Sequence, residues 1–196
     1  MSRLLAALAV AALVVLASCG GRTVTRTDTD TTTDLSGRWN DTDARMVADS
    51  MVDQCLDGNW LVEHGRGRQG YEKPVVVVGS VINRSSEHIS TDVFMNEIER
   101  ALLESGLVRI SAGRGEDPEV RAERYDQQRF ASPETAAEFG QEVGADYVMM
   151  GSVDSITDEE GDTRAVYYQV SLELIDVETA LKVWMGSLEI KKIIEW

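Results

Sequence analysis

The residue with the clearest chemistry is Cys19, which follows an apolar run near the start of the chain. The basic Arg3 precedes an unbroken apolar run over residues 4–16, which is too short to span a bilayer as a helix and is typical of a signal peptide. Leu16-Ala17-Ser18-Cys19 then places two small residues before a thiol. This order is similar to a lipobox, in which the chain is cleaved before the cysteine and the thiol is acylated. We therefore predict a signal peptide over residues 1–18 and a lipid anchor on Cys19.

The stretch behind this cysteine favours an exported protein held away from the membrane. Gly20 stands where lipoproteins retained in the inner membrane often carry aspartate, so resemblance to other lipoproteins implies an outer-membrane anchor that faces the periplasm. Residues 19–40 are mostly small or polar, with Val24, Leu35 and Trp39 as the large apolar exceptions. This composition predicts a flexible tether, which would reach at most roughly 70 Å and average about 25 Å as a coil.

Charge and cysteine content narrow the classes of partner. The chain has 34 Asp and Glu against 19 Lys and Arg, a formal net charge of -15, which argues against nucleic acid and against adsorption onto anionic lipid. Membrane attachment should therefore come from the lipid anchor. Cys55 is the other cysteine, and its apolar helical neighbours predict a small buried residue, with an intermolecular disulfide as the alternative.

Several motifs that could bind ligands lack the context that their chemistry requires. The glycine-rich string over residues 65–70 precedes a strand and opens no helix, so we predict a loop rather than a phosphate site. His64 and His88 lie in polar segments predicted as loops, without a second ligand at zinc spacing. The acidic cluster over residues 154–162 lacks the alternating ligands of a calcium loop and predicts a solvated hairpin turn.

Motifs for covalent or acid–base catalysis are also missing. The sequence contains neither a Gly-x-Ser-x-Gly elbow nor a Ser-x-x-Lys pair, and paired carboxylates cannot be told from ordinary surface in so acidic a chain. We therefore expect a binding protein without catalytic residues, metal, cofactor or small-molecule substrate. A periplasmic enzyme is kept as a third class, and it would need a nucleophile or acid–base pair.

Caps and apolar spacing predict the helices. They are residues 41–56 with Asp41 or Thr42 as the cap, residues 90–104 with Thr91 as the cap and Gly106 as the stop, and two helices that begin at Asp117-Pro118 and Ser132-Pro133. Residues 57–72 show no apolar periodicity and predict a loop. Alternating or continuous apolar runs predict strands over residues 75–82, 107–110, 146–153, 165–175 and 181–191, the last two forming a hairpin. Residues 41–196 should thus form a single α/β domain with a mixed sheet packed by helices.

Three blocks of this domain resemble the outer-membrane lipoproteins that activate penicillin-binding proteins, the LpoB family. The blocks are residues 75–85 with the following helix, residues 136–151, and residues 177–184, and their most telling pieces are Asn83-Arg84-Ser85, Val143-Gly144-Ala145-Asp146-Tyr147-Val148 and the strand that reaches Trp184. The resemblance implies a small domain like the N-terminal domain of TolB. It also implies a non-catalytic regulator of cell-wall assembly, which docks on the periplasmic domain of a bifunctional peptidoglycan synthase.

The chain departs from that family at two places. Ala180 stands where the family's turn usually has glycine, and the tether is short and lacks proline. The main rival is a secretion lipoprotein similar to CsgG, which would need lipid-facing hairpins of about ten residues per strand. The one long alternating segment, residues 165–175, is already required for the core.

A binding protein should recognise its partner through exposed loops and helix faces, because the inner faces of its strands form the core. Arginine is common at binding hot spots, so the candidate partner-binding residues are Asn83, Arg84, Arg121, Arg124 and Arg129. A solvated helix face explains the last three arginines equally well. Tyr147, Tyr168 and Trp184 lie in predicted strands with apolar neighbours, so we assign them to core packing.

Overall fold

The computed structural model describes residues 24–29, 31–67, 72–111 and 132–196. The chain divides into two compact units, Met1–Thr31 and Thr32–Trp196. The described residues of the first unit form no helix or strand. Cys19, the signal peptide, the helix predicted from Asp117 and the three arginines at 121, 124 and 129 lie outside the described residues.

The second unit is a mixed α/β domain, as predicted. Its elements are α1 (Asp41–Leu56), α2 (Trp60–Gly67), β1 (Val75–Asn83), α3 (Thr91–Ser105), β2 (Arg109–Ile110), α4 (Pro133–Val143), β3 (Tyr147–Glu160), β4 (Thr163–Asp176) and β5 (Lys182–Glu195). No helix in the described part of the chain is both long and apolar enough to cross a membrane.

The described strands form a sheet in the order β2-β1-β3-β4-β5. β1 pairs in parallel with β2 and β3, whereas β3, β4 and β5 form an antiparallel meander. A hairpin turn with Gly161 at positive φ connects β3 to β4, and a second turn with Ala180 at positive φ connects β4 to β5. The acidic cluster was predicted to form the turn of a hairpin, which is wrong for residues 154–160, because these belong to β3 and the turn itself holds only Gly161 and Asp162.

Each face of the sheet packs a different group of helices. On the inner face, α1 and α3 cover β1, β3, β4 and β5, with Phe94, Ile98 and Leu102 of α3 fully buried. On the outer face, α4 packs Ala136 and Phe139 against β1, β3 and the end of β4. Alternate residues of β4 face this side and are buried in the inner core: Val166, Tyr168, Val170, Leu172 and Leu174. This division leaves the far half of the outer face of the meander without a helix from the described residues.

The predicted stop at Gly106 is confirmed, but two predicted caps are wrong. The cap of α1 is Asn40, whose side-chain oxygen accepts from the Asp43 amide at 3.1 Å, while the Asp43 carboxylate accepts from the Asn40 amide at 2.9 Å. Ser90 rather than Thr91 occupies the cap position of α3. Ser132 caps α4 as predicted, and Gly106 and Gly144 end α3 and α4 in the left-handed conformation.

The loop predicted over residues 57–72 is wrong for residues 60–67, which form α2. Trp60 and His64 lie one helical turn apart and are both buried, and the Trp60 ring packs on Tyr147 at 4.9 Å. Contact with the sheet therefore stabilises a helix that Gly65 and Gly67 disfavour. The predictions of a loop for His64 and for this part of the glycine-rich string are wrong for the same reason.

Strand β3 continues to Glu160, well beyond the predicted end at Val153. The added residues are mostly acidic, with Ile156 as the one large apolar residue, but each pairs with a residue of β4, from Asp154 with Gln169 to Glu160 with Thr163. Pairing with β4, rather than local propensity, thus fixes the length of this strand.

Candidate tether clasp and interaction surface

The segment just before α1 is bound to the domain through Trp39. Its indole ring meets Phe94 and Tyr168 edge-on, with ring centres 6.3 and 5.6 Å away. Its backbone amide donates to a carboxylate oxygen of Glu87 and to the Tyr168 hydroxyl, both at 3.1 Å. The Tyr168 hydroxyl in turn donates to Glu87 at 2.8 Å. Burial, followed by this bond to Glu87, raises the pKa of Tyr168, so the hydroxyl remains a donor to higher pH than that of an ordinary tyrosine.

Lys192 of β5 forms the second attachment. Its ammonium donates to Asp34 and to Asp43, each at 2.6 Å, and to the Arg38 carbonyl at 3.2 Å. The side chains of Lys192 and Asp43 are 11% and 5% exposed, so water screens their attraction little. Burial lowers the pKa of Lys192, but the hydrogen bonds to Asp34 and Asp43 outweigh this effect and leave the pKa raised.

Gly37 lets the chain pass close to β5 between these two attachments. Its φ is +66°, and a Cβ atom at this position would clash with the side chain of Ile194. Only glycine adopts that conformation without cost and leaves room for the neighbour. Residues 34–40 therefore form what we call the clasp, which ties the chain upstream of α1 to β5 and to the inner core.

The predicted contact residues Asn83 and Arg84 lie together where β1 ends, and the structure gives them different roles. The Asn83 side chain accepts from the Ser85 amide and hydroxyl, at 3.0 and 2.6 Å, and donates to the Glu87 carbonyl at 2.8 Å. Asn83 thus orders the loop that presents Glu87 to the clasp. Arg84 is exposed, and its backbone amide donates a hydrogen bond to the Val153 carbonyl at 2.8 Å.

The outer face of the meander carries an apolar cluster that the sequence analysis missed. Ile156 pairs with Tyr167, and Ala165 on the same face pairs with Ile193, so these side chains lie on adjacent strands. Ile156 is 68% exposed and Ile193 56% exposed, while Tyr167 and Ala165 are half-buried. We call these four residues the outer patch. Their alternation with buried residues of the same strands could have revealed them once the pairing was known.

Carboxylates border the outer patch along the strands. One side is bounded by the rung Asp154, Gln169 and Glu189, and the other by the rung Glu160, Thr163 and Glu195. Two charged residues pair directly with residues of the outer patch, Asp158 with Ala165 and Lys191 with Tyr167. Burial, followed by a hydrogen bond to Glu189, raises the pKa of Tyr167. The surface therefore has an apolar centre and an acidic rim.

Cys55 and His64, two residues that could have bound a metal ion, are buried in the structure. Cys55 is fully buried, as predicted, and burial raises the pKa of its thiol to about 12, so it is neither accessible nor ionised for disulfide exchange. His64 lies in α2 with its Nδ1 atom 3.1 Å from the Tyr147 hydroxyl. Across the described ranges, no group of three His, Cys, Asp or Glu side chains could hold a metal ion. Tyr147 and Tyr168 are buried, and Trp184 packs partly buried against the core, as predicted.

Comparison with known proteins gives one family match and several structures of similar fold. The family model described as peptidoglycan-synthase activator LpoB matches residues 43–190. The C-terminal domain of LpoB from Salmonella enterica is similar at 18% identity and a TM-score of 0.50, over 76% of this chain and 98% of that one. The corresponding Escherichia coli domain matches at 19% identity and a TM-score of 0.46, over 76% and 98% of the two chains. None of the curated protein sequences is significantly similar to the chain.

Proposed function

Because the chain belongs to the LpoB family of peptidoglycan-synthase activators, we propose that it binds and activates a bifunctional penicillin-binding protein in cell-wall assembly. The family is one of regulators rather than catalysts. The match over residues 43–190 carries the proposal, because it runs from the first turn of α1 into β5 and so includes nearly the whole domain. An activator of this kind must bind the active conformation of the synthase more tightly than the inactive one. The secretion-pore alternative is not favoured by this match.

The proposal includes a lipid anchor on Cys19 that holds the domain at the outer membrane, facing the periplasm. The clasp starts at Asp34, which is bonded to Lys192, so the chain between the anchor and the clasp is shorter than the predicted tether of residues 19–40. Its fifteen residues, 19–33, could extend at most about 50 Å. The synthase must therefore reach toward the outer membrane to meet the domain.

The partner-contacting residues are part of the same proposal. Arg84 is an exposed cation at the end of β1, and we assign it to the contact, together with Arg121, Arg124 and Arg129. We assign Asn83 to ordering the contact loop, because its side chain is already bonded to Ser85 and Glu87. Charge reversal at Arg84 should weaken binding, whereas Asn83→Ala should act through the loop and loosen the clasp.

Reversible crosslinking in the native cell, followed by affinity capture and mass spectrometry, tests the proposed function. Wild-type protein should recover a penicillin-binding protein, and Cys19→Ala, which cannot be acylated, should recover much less. Purified synthase should then polymerise glycan and crosslink peptides faster when the protein is added. Recovery only of a large ring of the same chain, or of secreted fibre subunits, would contradict the proposal and favour a secretion pore.

A further inference from the structure

The outer patch differs from an ordinary solvent-facing side of an antiparallel sheet. Such a face normally presents polar residues to solvent, while the opposite face packs against the core. The neighbouring rung follows this rule, because it consists of Asp154, Gln169 and Glu189. Ile156 and Ile193 break the pattern, with more than half of each side chain exposed. They contribute little buried area to folding, and exposed apolar clusters with polar rims mark interaction sites.

The position of the outer patch leaves it open to a large partner. It lies on the part of the meander that α4 does not cover, because α4 packs against Val77, Val148 and Met150 nearer the other end of the sheet. β5 is the last strand of the sheet, so no further described strand flanks the patch on that side. The backbone amide of Arg84 donates a hydrogen bond to the carbonyl of Val153 in β3, three residues before Ile156.

The charges around the outer patch determine which kinds of partner could bind there. Its rim carries the carboxylates of Asp154, Asp158, Glu160, Glu189 and Glu195, against the ammonium of Lys191. A second copy docked face to face would bring two acidic rims together, and an anionic membrane would also be repelled. A protein surface with an apolar centre and a basic rim complements both the apolar residues of the outer patch and the negative charge of its rim.

We propose that the outer patch docks the periplasmic domain of the synthase, through an apolar surface on that domain bordered by lysine or arginine. This inference rests on the proposed function and deepens it by naming the contact surface. Ile156 and Ile193 fill the apolar centre of the interface, and the carboxylates of the rim speed association and fix orientation.

The test uses the full acylated chain and the purified bifunctional penicillin-binding proteins of the same organism, each measured in turn by surface plasmon resonance. The double substitution Ile156→Lys with Ile193→Lys should raise the dissociation constant about thirty-fold or more. Leu103→Lys is the matched control, because Leu103 is 61% exposed on α3, and it should change the constant less than about two-fold. Thermal melting checks that each variant is folded.

A second variant tests the charge of the rim without touching the apolar residues. Asp158→Lys should slow association several-fold at low salt and reduce the dependence of the rate on ionic strength. If a synthase binds the wild type and both surface variants equally, the patch is not the docking site while the proposed function stands. If no penicillin-binding protein binds the wild type, both proposals fail. A dimer in sedimentation velocity that the double substitution dissociates would assign the patch to a second copy and overturn the inference.

Discussion

The two faces of the β3–β5 meander use similar residues for different ends. On the inner face, Tyr168, Leu172 and Leu174 are buried beneath α1 and α3, and Trp39 of the clasp packs on Tyr168. On the outer face of the same strands, Ile156 and Ile193 are more than half exposed. Apolar side chains thus stabilise the fold on one face and are available to a partner on the other.

This contrast separates substitutions that should cost stability from those that should cost binding. A large residue removed from the inner face loses its burial and leaves a cavity, whereas an exposed residue has little burial to lose. The clasp belongs with the inner face, because it is held by Tyr168, Glu87 and Lys192.

The largest difference should appear when one residue of each face is changed to threonine, which strands tolerate well. Leu174→Thr removes a fully buried side chain and introduces a buried hydroxyl, so it should lower the free energy of unfolding by about 3 kcal/mol. Ile193→Thr should lower it by about 0.5 kcal/mol or less. Urea denaturation measures both, and equal losses would contradict the assignment of the two faces.

Trp39→Ala should be the next largest effect, because it removes the edge contacts with Phe94 and Tyr168. We expect the free energy of unfolding to fall by about 2 kcal/mol, and amide exchange to become faster over residues 34–40. Trp196→Ala, at a tryptophan that is 70% exposed, is the control and should change neither quantity appreciably. Unchanged exchange in the Trp39 variant would show that the clasp does not depend on this ring.

A smaller, opposite effect is expected at the turn between β4 and β5. Ala180 has a φ of +55°, and the turn is ordered by Asp176, whose carboxylate accepts from the amides of Glu178 and Thr179 at 3.0 and 2.8 Å. The left-handed backbone strains alanine, so Ala180→Gly should raise the free energy of unfolding by about 1 kcal/mol. Thermal melting checks the sign, and a lower melting temperature would contradict this explanation.

The smallest effect concerns the ionic part of the clasp. Hydrogen bonds from Lys192 and then from Asn40 hold the pKa of Asp34 below its ordinary value of 3.8. The ionised Asp34 carboxylate therefore contributes to the free energy of unfolding above pH 3.8, and this contribution is lost as the pH falls through the lowered pKa. In an NMR titration, Lys192→Met should raise the Asp34 midpoint toward 3.8. An unchanged midpoint would show that Lys192 does not hold Asp34 in solution.

Sequence patterns predicted the elements whose signals are local. Residues 41–56 and the helix from Pro133 carry regular apolar spacing, and β4 alternates strictly, so these elements were predicted close to their observed bounds. The extension of β3 and helix α2 were missed, because long-range pairing and the packing of Trp60 on Tyr147 decide them.

The candidate surfaces were harder to predict than the fold. Trp39 is bound by Tyr168, 129 positions further along the chain, and the sequence shows only a large apolar residue in a polar stretch, not the residue that it contacts. The outer patch draws its members from three strands and becomes a cluster only in the observed register. Arginine content pointed instead to residues 121–129, which lie outside the described residues.

The most direct test of activation through the outer patch compares how strongly the acylated wild type and the Ile156→Lys, Ile193→Lys variant stimulate the purified synthase. The wild type should increase glycan polymerisation and peptide crosslinking, whereas the folded variant should give little stimulation at the same concentration, and Leu103→Lys should act like the wild type. Equal stimulation by all three proteins would contradict activation through the outer face, and no stimulation by the wild type would contradict the activator function itself.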